Sequence, residues 1–253
     1  MKDSIITFKE PKSPISEAFR KMRTNITFSD IDHELQVLAI TSTDKSEGKT
    51  TILGNYAVAL AQSGKRTLII DCDLRRPQMH RKFDLGNGKG LTNILLKEID
   101  IVDGIQKTEV PDLFIITSGP IPPNPSEILA SRRMGVVIDD LKNNFDYILL
   151  DAPPVGMVTD AAVLSPVVEG YIVVVSLGQC NRDGVRYAIE NLKKINARII
   201  GVVANKVPVS KRHGYYGYYY NAYYEEEAII NGETKKEKRK REKKHKHREK
   251  VTQ

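Results

Sequence analysis

Six short apolar runs, rich in Val, Ile and Leu, alternate along the chain with segments whose apolar residues have helical spacing. The runs show little polar alternation, which is typical of strands covered on both faces. The predicted strands are residues 35–41, 67–71, 113–117, 147–151, 171–176 and 199–203, and the predicted helices between them include 50–63, 126–142 and 184–195. This alternation predicts an α/β fold with a doubly wound, mostly parallel sheet.

Composition divides the chain into four predicted regions. Residues 1–30 are a predicted helical arm, with a strong helical pattern from 15 to 26, and residues 31–209 carry the strands. Seven of the eleven tyrosines lie in the stretch YYGYYYNAYY, which makes region 210–227 a tyrosine cluster. Residues 228–253 are a basic tail with too few branched aliphatic residues for a core, so we expect that tail to be disordered.

The charge of the chain is concentrated in that tail. The formal net charge is +7, yet residues 235–250 alone hold 11 Lys and Arg against three Glu. The rest of the chain is therefore close to neutral, and nucleic-acid binding is not expected of the folded body. Three partners remain open for the tail, namely nucleic acid, an acidic polymer and the anionic surface of a membrane, beside a purely solubilising role.

Several counts indicate a cytoplasmic protein. Two cysteines, Cys72 and Cys180, cannot supply a disulfide framework, and the N-terminus lacks the apolar segment of a secretory signal. The most apolar stretch, 161–177, is interrupted by Pro, Glu and Gly and falls short of the roughly 20 apolar residues that span a bilayer. A membrane role would therefore depend on a partner or on the tail.

The first predicted strand leads directly into TSTDKSEGKTT, residues 41–51, and then into a helix. Gly-Lys-Thr in this context predicts a P-loop, in which backbone N–H groups and the helix N-terminus bind phosphates. In such a loop Lys49 binds the β and γ oxygens, and the Thr50 hydroxyl completes the Mg²⁺ shell. The predicted ATP-binding residues of the loop are Ser46, Glu47, Gly48, Lys49, Thr50 and Thr51.

The loop departs from the standard pattern at two places. Thr43 stands where the first glycine is usual, and Ser46 stands where another glycine is frequent. A positive φ at either position would cost a residue other than glycine about 1 kcal/mol. This strain is tolerable but could weaken the site.

Three carboxylates follow predicted strands. Asp71 and Asp73 lie at the end of the second strand, and Asp151 ends the strand YILLD. Ligands of open α/β sheets bind at the carboxyl ends of strands. Carboxylates that converge beside a P-loop require a cation, and Mg²⁺ is the cation that suits oxygen ligands and phosphates.

Together these motifs resemble the bacterial tyrosine kinases of capsule and exopolysaccharide loci, which are relatives of the deviant-Walker ATPases. The resemblance covers about residues 10–225 and is closest to the short Gram-positive form, whose membrane-spanning activator is a separate protein. It is carried by Lys49, the Asp71-x-Asp73 pair with Arg75 and Pro77, the DAPPV run from Asp151, the segment SGPIPPNPSEIL and the tyrosine cluster.

The resemblance implies a role for each matching residue. Lys49, Asp71 and Asp73 would be catalytic, with Asp71 accepting the proton of the incoming tyrosine hydroxyl. Thr50, Asp73 and Asp151 would bind the metal, directly or through water. Asn205, in GVVANK, matches the position that contacts adenine in related ATPases. The implied cofactors are ATP and Mg²⁺.

The resemblance also implies an assembly and partners. Glu17, Arg20 and Arg23 match a Glu-x-x-Arg-x-x-Arg motif that links subunits into a ring, expected to be an octamer. The activator would recruit the ring to the inner face of the membrane. A cognate phosphotyrosine phosphatase would remove the phosphate groups, and the kinase would regulate polysaccharide synthesis and export. The expected targets of phosphorylation in trans are Tyr215, Tyr216, Tyr218, Tyr219, Tyr220, Tyr223 and Tyr224.

Two other readings stay open on the residues alone. A partition-type ATPase that acts as a positioning switch usually carries an additional lysine early in the loop, where this chain has Asp44. A catalytically weak interaction protein would account for Thr43 and Ser46 in the loop.

Overall fold

The computed structural model describes residues 5–30, 35–156 and 160–207. The predicted tyrosine cluster and basic tail lie outside these residues. No helix in the described part of the chain combines the length and the apolar character needed to cross a membrane.

The described residues form one sheet and the helices around it. The strands are β1 Val37–Ser42, β2 Thr67–Asp71, β3 Ile105–Lys107, β4 Leu113–Ile116, β5 Tyr147–Asp151, β6 Gly170–Ser176 and β7 Ile199–Asn205. The helices are α1 Ile6–Lys9, α2 Pro14–Thr27, α3 Lys49–Ala61, α4 Met79–Phe83, α5 Leu91–Leu95, α6 Ile101–Gly104, α7 Pro125–Leu129, α8 Arg132–Lys142, α9 Asp160–Val163 and α10 Arg182–Lys194, with a 3₁₀ turn at Ser165–Val167.

The sheet has the strand order β3-β4-β2-β5-β1-β6-β7 and is parallel except for β3. This confirms the doubly wound α/β prediction and all six predicted strands. The additional strand, β3, is three residues long, lies at the edge and pairs antiparallel with β4. Its short and partly exposed sequence gives no apolar run, which is why it was not predicted.

Alternate residues of a central strand contribute to two separate cores. In β1, Val37 and Ala39 belong to the core on one face of the sheet, whereas Leu38 and Ile40 belong to the core on the other. Both faces are covered by helices, so every position of β1 is buried. Burial on both faces explains why the strands read as continuous apolar runs.

The predicted helix 126–142 is two helices in the structure. Helix α7 ends at Leu129, and Ser131 takes an extended backbone conformation before α8 begins at Arg132. The prediction of one continuous helix is therefore wrong at this break. The apolar spacing continues across the break, which hides it in the sequence.

Helix α2 occupies the N-terminal region where the sequence predicts a helix. Ser13 caps it by accepting a hydrogen bond from the N–H group of Ser16 (3.2 Å). Phe19 and Ile26 are buried in the same core as α3, and the guanidinium of Arg23 donates to a carbonyl of α3. Helix α2 thus packs onto the helix that follows the predicted phosphate loop.

Candidate active site

The phosphate loop joins the end of β1 to the start of α3. Gly48 has a φ of 94°, and a Cβ atom at this position would collide with the side-chain amide of Asn205. The positive φ favours glycine here, and a larger residue would also displace the Asn205 amide from the loop. Ser46 has a φ of 63°, whereas Thr43 does not take a positive φ, so strain falls on one of the two unusual loop positions.

The side chain of Glu47 holds the loop together from within. It is buried, and its Oε2 atom accepts hydrogen bonds from the N–H (2.8 Å) and hydroxyl (2.8 Å) groups of Thr43 and the N–H group of Asp44 (2.9 Å). Its Oε1 atom accepts from the N–H group of Ser176 at the end of β6 (3.2 Å). The sequence predicts Glu47 as part of the loop but gives no sign of this internal role.

The end of β7 supports the same loop. The amide nitrogen of Asn205 donates to the carbonyl of Glu47 (2.8 Å), and the ammonium of Lys206 donates to the carbonyl of Ser46 (3.1 Å). Lys206 also donates to the side chain of Gln179 (2.8 Å). Asn205, predicted to contact adenine, therefore lies beside the phosphate loop.

Four of the predicted site residues meet behind the loop. The Nζ atom of Lys49 lies 2.7 Å from Oδ1 of Asp151 and 3.5 Å from Oδ2 of Asp73. The hydroxyl of Thr50 donates to the other oxygen of Asp151 (2.8 Å). Lys49, Asp73 and Asp151 are buried, so these charges interact with little screening by water.

Strand register explains this convergence. Asp71 lies opposite Asp151 in the parallel pair β2–β5, and Asp151 lies opposite Ile40 in the pair β1–β5. The carboxyl ends of these strands therefore meet at one edge of the sheet, immediately below the phosphate loop. The topology therefore accounts for the predicted convergence of three carboxylates from two strand ends, those of β2 and β5, beside the phosphate loop that follows β1.

The charged groups of the site shift the pKa values of one another. Burial lowers the pKa of Lys49, but the carboxylates of Asp151 and Asp73 raise it more, so the pKa lies above its ordinary value and the ammonium stays charged. Burial, followed by the charge of Asp151, raises the pKa of Asp71 to about 8. Burial also raises the pKa of Asp73, against the opposing charge of Lys49.

Asp71 and Asp73 differ in their accessibility from the cleft. Asp71 is fully buried, and its carboxylate accepts hydrogen bonds from the N–H groups of Asp73 (3.2 Å), Gln78 (3.1 Å) and Met79 (3.0 Å). Asp73 instead lines an open cleft of about 500 Å³. The cleft thus reaches Asp73 directly, and Asp71 lies beneath the loop 73–78.

That cleft is bounded by the phosphate loop, the start of α3, the segment after β2 and Pro153 and Pro154 after β5. A second cavity of about 460 Å³ lies at the opposite edge of the sheet, where Gln36, Arg66 and Asp146 precede β1, β2 and β5. The phosphate loop and the three carboxylates are absent from its lining, so the chemistry belongs to the first cleft.

An ion pair that the sequence does not signal holds Arg75, which lines the cleft. The guanidinium of Arg75 contacts both oxygens of Asp160 (2.6 and 3.1 Å), and the hydroxyl of Ser126 donates to the same carboxylate. Burial raises the pKa of Asp160, but the hydrogen bonds from Arg75 and Ser126 outweigh burial and bring it below its ordinary value. This cluster joins the segments after β2, β4 and β5.

The residues present fit a Mg²⁺ ion that is shared with a nucleotide. No group of three or more His, Cys, Asp or Glu side chains within the described residues is arranged to hold a metal by itself. The hydroxyl of Thr50 and the carboxylates of Asp73 and Asp151 nevertheless supply hard oxygen donors at one place. Mg²⁺ typically uses one or two carboxylates together with waters and phosphate oxygens.

The predicted oligomerisation residues make contacts within the chain. The guanidinium of Arg20 pairs with Glu17 (2.7 Å) and donates to the carbonyl of Pro11 (2.9 Å). Arg23 donates to the carbonyl of Ala59 (2.7 Å). Their part in a ring stays a prediction.

A parallel sheet with a phosphate loop after β1 and carboxylates after β2 and β5 defines a P-loop nucleotide-binding protein. Consistent with this class, the AAA domain family matches residues 35–204.

The chain is 39% identical to the tyrosine-protein kinase YwqD of Bacillus subtilis (strain 168) over 219 residues, which are 87% of this chain and 92% of the relative. The crystal structure of the chimerical protein CapA2B2 superposes with a TM-score of 0.79 and 43% identity, over 82% of this chain and 92% of that one. This chain therefore belongs to the family of bacterial tyrosine-protein kinases, which confirms the predicted family and enzyme class.

The partition-type relatives are more distant. The septum site-determining protein MinD of Pyrococcus horikoshii OT3, complexed with Mg-ADP, gives a TM-score of 0.59 and 25% identity over 70% of this chain and 72% of that one. The shared fold is the one predicted for a deviant-Walker ATPase relative, and the kinases are the closer match of the two.

Proposed function

We propose that this chain transfers the γ-phosphoryl group of ATP to tyrosines in the C-terminal cluster of a second copy. The observation that carries the proposal is the position of Lys49, buried between Asp151 and Asp73 directly behind the phosphate loop of a tyrosine-kinase family member. Such a site holds the groups that phosphoryl transfer needs, which are mainly positioning and charge neutralisation.

Binding of ATP would exchange the ion-pair partner of Lys49. Its phosphates would accept from the loop N–H groups at the start of α3 and would replace Asp151 as a partner of Lys49, whose ammonium is already held charged. The amide nitrogen of Asn205 donates to the carbonyl of Glu47, which leaves the side-chain oxygen of Asn205 to accept a hydrogen bond from the amino group of adenine.

Thr50, Asp73 and Asp151 would hold Mg²⁺, directly or through water. When bound, Mg²⁺ supplies neutralisation of the charge on the transferring phosphoryl group. The release of Asp151 from Lys49 is what makes its carboxylate available for this role.

Asp71 in its ionised form is the proposed acceptor of the tyrosine proton, and its pKa of about 8 means that the ionised fraction increases as the pH rises toward 8. Because Asp71 is fully buried and accepts hydrogen bonds from Gln78 and Met79, a tyrosine hydroxyl reaches it only when the loop 73–78 opens. Substitution of Asp71 with Asn should then lower kcat with little change in the KM for ATP. If kcat at saturating Mg²⁺ falls with Asp73→Asn and stays unchanged with Asp71→Asn, the cleft-lining carboxylate is the acceptor.

Transfer in trans follows from the ring that Glu17, Arg20 and Arg23 are proposed to form. A tail that is tethered in a ring presents its tyrosines at an effective concentration in the millimolar range. Efficient transfer then needs no deep peptide pocket.

The biological setting completes the proposal. The kinase would act with a separate transmembrane activator that recruits it to the inner face of the membrane, and a cognate phosphatase would reverse its product. Phosphorylation of the cluster would regulate capsular or exopolysaccharide synthesis and export. The basic tail, residues 235–250, would add affinity for an anionic membrane surface.

The experiment incubates the purified full-length chain with Mg·ATP, with and without the cytoplasmic fragment of an activator, and measures phosphotyrosine together with ADP release. We expect both in the wild type and neither in Asp151→Asn. ADP release without phosphotyrosine would indicate the partition-type ATPase, and the absence of both would indicate the catalytically weak interaction protein.

A further inference from the structure

Cationic side chains surround the cleft. Five of them line it, namely Lys45, Lys49, Arg75, Arg76 and Lys82. Lys49 is matched by Asp151 and Asp73, and Arg75 is matched by Asp160. Lys82 donates a hydrogen bond to the hydroxyl of Thr51 (2.9 Å).

The other two, Lys45 and Arg76, form what we call the basic rim. Both residues are exposed, and within the described ranges neither side chain makes an ion pair or a hydrogen bond. An exposed cation at the mouth of a cleft attracts anions by a field that the low-dielectric walls focus. The rim is therefore an available site for negative charge.

The position of Arg76 places this part of the rim on the side where an acceptor enters. The N–H group of Arg76 donates to both the carboxylate (3.1 Å) and the carbonyl (3.2 Å) of Asp73, which fixes Arg76 on the same turn. With Asp71 as the proposed proton acceptor, the attacking hydroxyl approaches past this turn, because Asp73 lines the cleft and Asp71 lies beneath it. The nucleotide has its own partners in Lys49 and the loop N–H groups.

The sequence supplies a matching anion beside the acceptors. Glu225, Glu226 and Glu227 follow Tyr223 and Tyr224 without interruption. Resting on the proposed kinase function, we propose that the basic rim binds carboxylates that flank the acceptor tyrosine, so that the site selects acidic peptides. Its ligand in a second copy is then the glutamate triplet of residues 225–227.

The inference predicts a change in the KM for the acceptor of the size expected from the loss of two exposed ion pairs. Loss of the triplet should raise the KM for the acceptor about 5-fold, and the preference should weaken as salt screens the charges. If the rim binds the triplet, substitution of a rim residue leaves the KM for ATP unchanged. If the rim binds nucleotide, the same substitution changes the KM for ATP.

The test uses full-length chains in two roles. The enzyme carries Phe at all seven tail tyrosines, and the acceptor carries Lys49→Met and an intact tail. Acceptors with E225Q, E226Q and E227Q are compared with matched controls that carry E237Q, E242Q and E249Q, the same charge change in the basic tail. We expect the higher KM in the first set, and equal values in both sets would overturn the inference.

Charge reversal on the enzyme sharpens the result. Arg76→Glu should raise the KM for the wild-type acceptor, and an acceptor with Lys at positions 225–227 should restore it. Arg186→Glu, at an exposed position of α10 outside the cleft, is the matched control and should have no effect. A melting temperature equal to that of the wild type shows that Arg76→Glu is folded.

The outcomes separate the rim from the kinase activity. A rise in the KM for ATP with Arg76→Glu would assign the rim to nucleotide and overturn the inference while the kinase proposal stands. If the enzyme with an intact rim labels no acceptor even in the presence of the activator fragment, both the kinase proposal and the inference that rests on it are overturned.

Discussion

The ammonium of Lys49 lies 2.7 Å from the carboxylate of Asp151, and the two form a buried ion pair at the carboxyl edge of the sheet. Each partner is also a proposed ligand, Lys49 for phosphate and Asp151 for Mg²⁺. The pair therefore keeps both charges compensated, and the proposed function requires a nucleotide to separate them. Removing one partner from a buried pair costs more than removing both, because the remaining charge is left uncompensated.

This predicts a non-additive pair of substitutions. Lys49→Met leaves Asp151 and Asp73 facing each other without a cation, and the free energy of unfolding should fall by about 3 kcal/mol. In the double variant Lys49→Met/Asp151→Asn the loss should be smaller than the sum of the single losses by about 1–3 kcal/mol. Urea unfolding without nucleotide measures these values, and strict additivity would contradict the assigned pair.

Glu47→Gln tests the internal support of the phosphate loop. The Glu47 carboxylate accepts four hydrogen bonds, three at one oxygen and one at the other, and an amide nitrogen in place of one oxygen cannot accept the bonds made to that oxygen. Loss of one charged acceptor should raise the KM for ATP about 10-fold, with a smaller change in kcat. Glu190→Gln, at an exposed position of α10, is the control. An unchanged KM for ATP would show that the loop keeps its shape without this carboxylate.

The two non-glycine loop positions should respond in opposite directions to glycine. Ser46 has a positive φ, so Ser46→Gly should raise the free energy of unfolding by about 0.5–1 kcal/mol. Thr43 does not have a positive φ, and its hydroxyl donates to Glu47, so Thr43→Gly should lower it by about 1–2 kcal/mol. Chemical denaturation of both variants measures the change in the free energy of unfolding. Changes of the same sign would contradict the assigned backbone conformations.

The ion pair of Arg75 and Asp160 predicts a pH dependence of stability. The pKa of Asp160 is lowered in the fold, so its stabilising contribution is complete above the unfolded pKa of about 3.9 and is lost as the pH falls through the lower folded pKa. Asp160→Asn should therefore reduce the free energy of unfolding by a constant amount between about pH 5.5 and 8.

Below about pH 4 the difference between the wild type and Asp160→Asn should shrink, because protonation then removes the same charge from the wild type. Urea unfolding at several pH values measures it. Arg75 is partly exposed, which limits the constant difference to about 1–2 kcal/mol. A difference that increases on acidification would contradict the lowered pKa.

The sequence predicts the centre of the site because the chemistry restricts residue types there. A phosphate loop requires Gly48 and Lys49 between a strand and a helix, and parallel strands bring Asp71 and Asp151 to one edge. These are local patterns combined with one topological rule, and both can be recognised from a single sequence.

The contacts that lie outside such rules could not be predicted. Arg75 and Asp160 are 85 residues apart, and Glu47 and Ser176 are 129 residues apart. No spacing in the sequence marks either pair, since each depends on how loops after different strands meet. Strand β3 was missed for a related reason, because its pairing with β4 rather than its own pattern makes it a strand.

The most direct test of the account follows phosphate from one copy to another. An enzyme with Phe at its seven tail tyrosines is mixed with a ¹⁵N-labelled Lys49→Met chain and Mg·ATP, and the products are mapped by mass spectrometry. The account predicts phosphotyrosine within residues 215–224 of the labelled chain. ATP turnover that leaves the labelled chain unmodified, while the wild type alone becomes phosphorylated, would contradict transfer between copies.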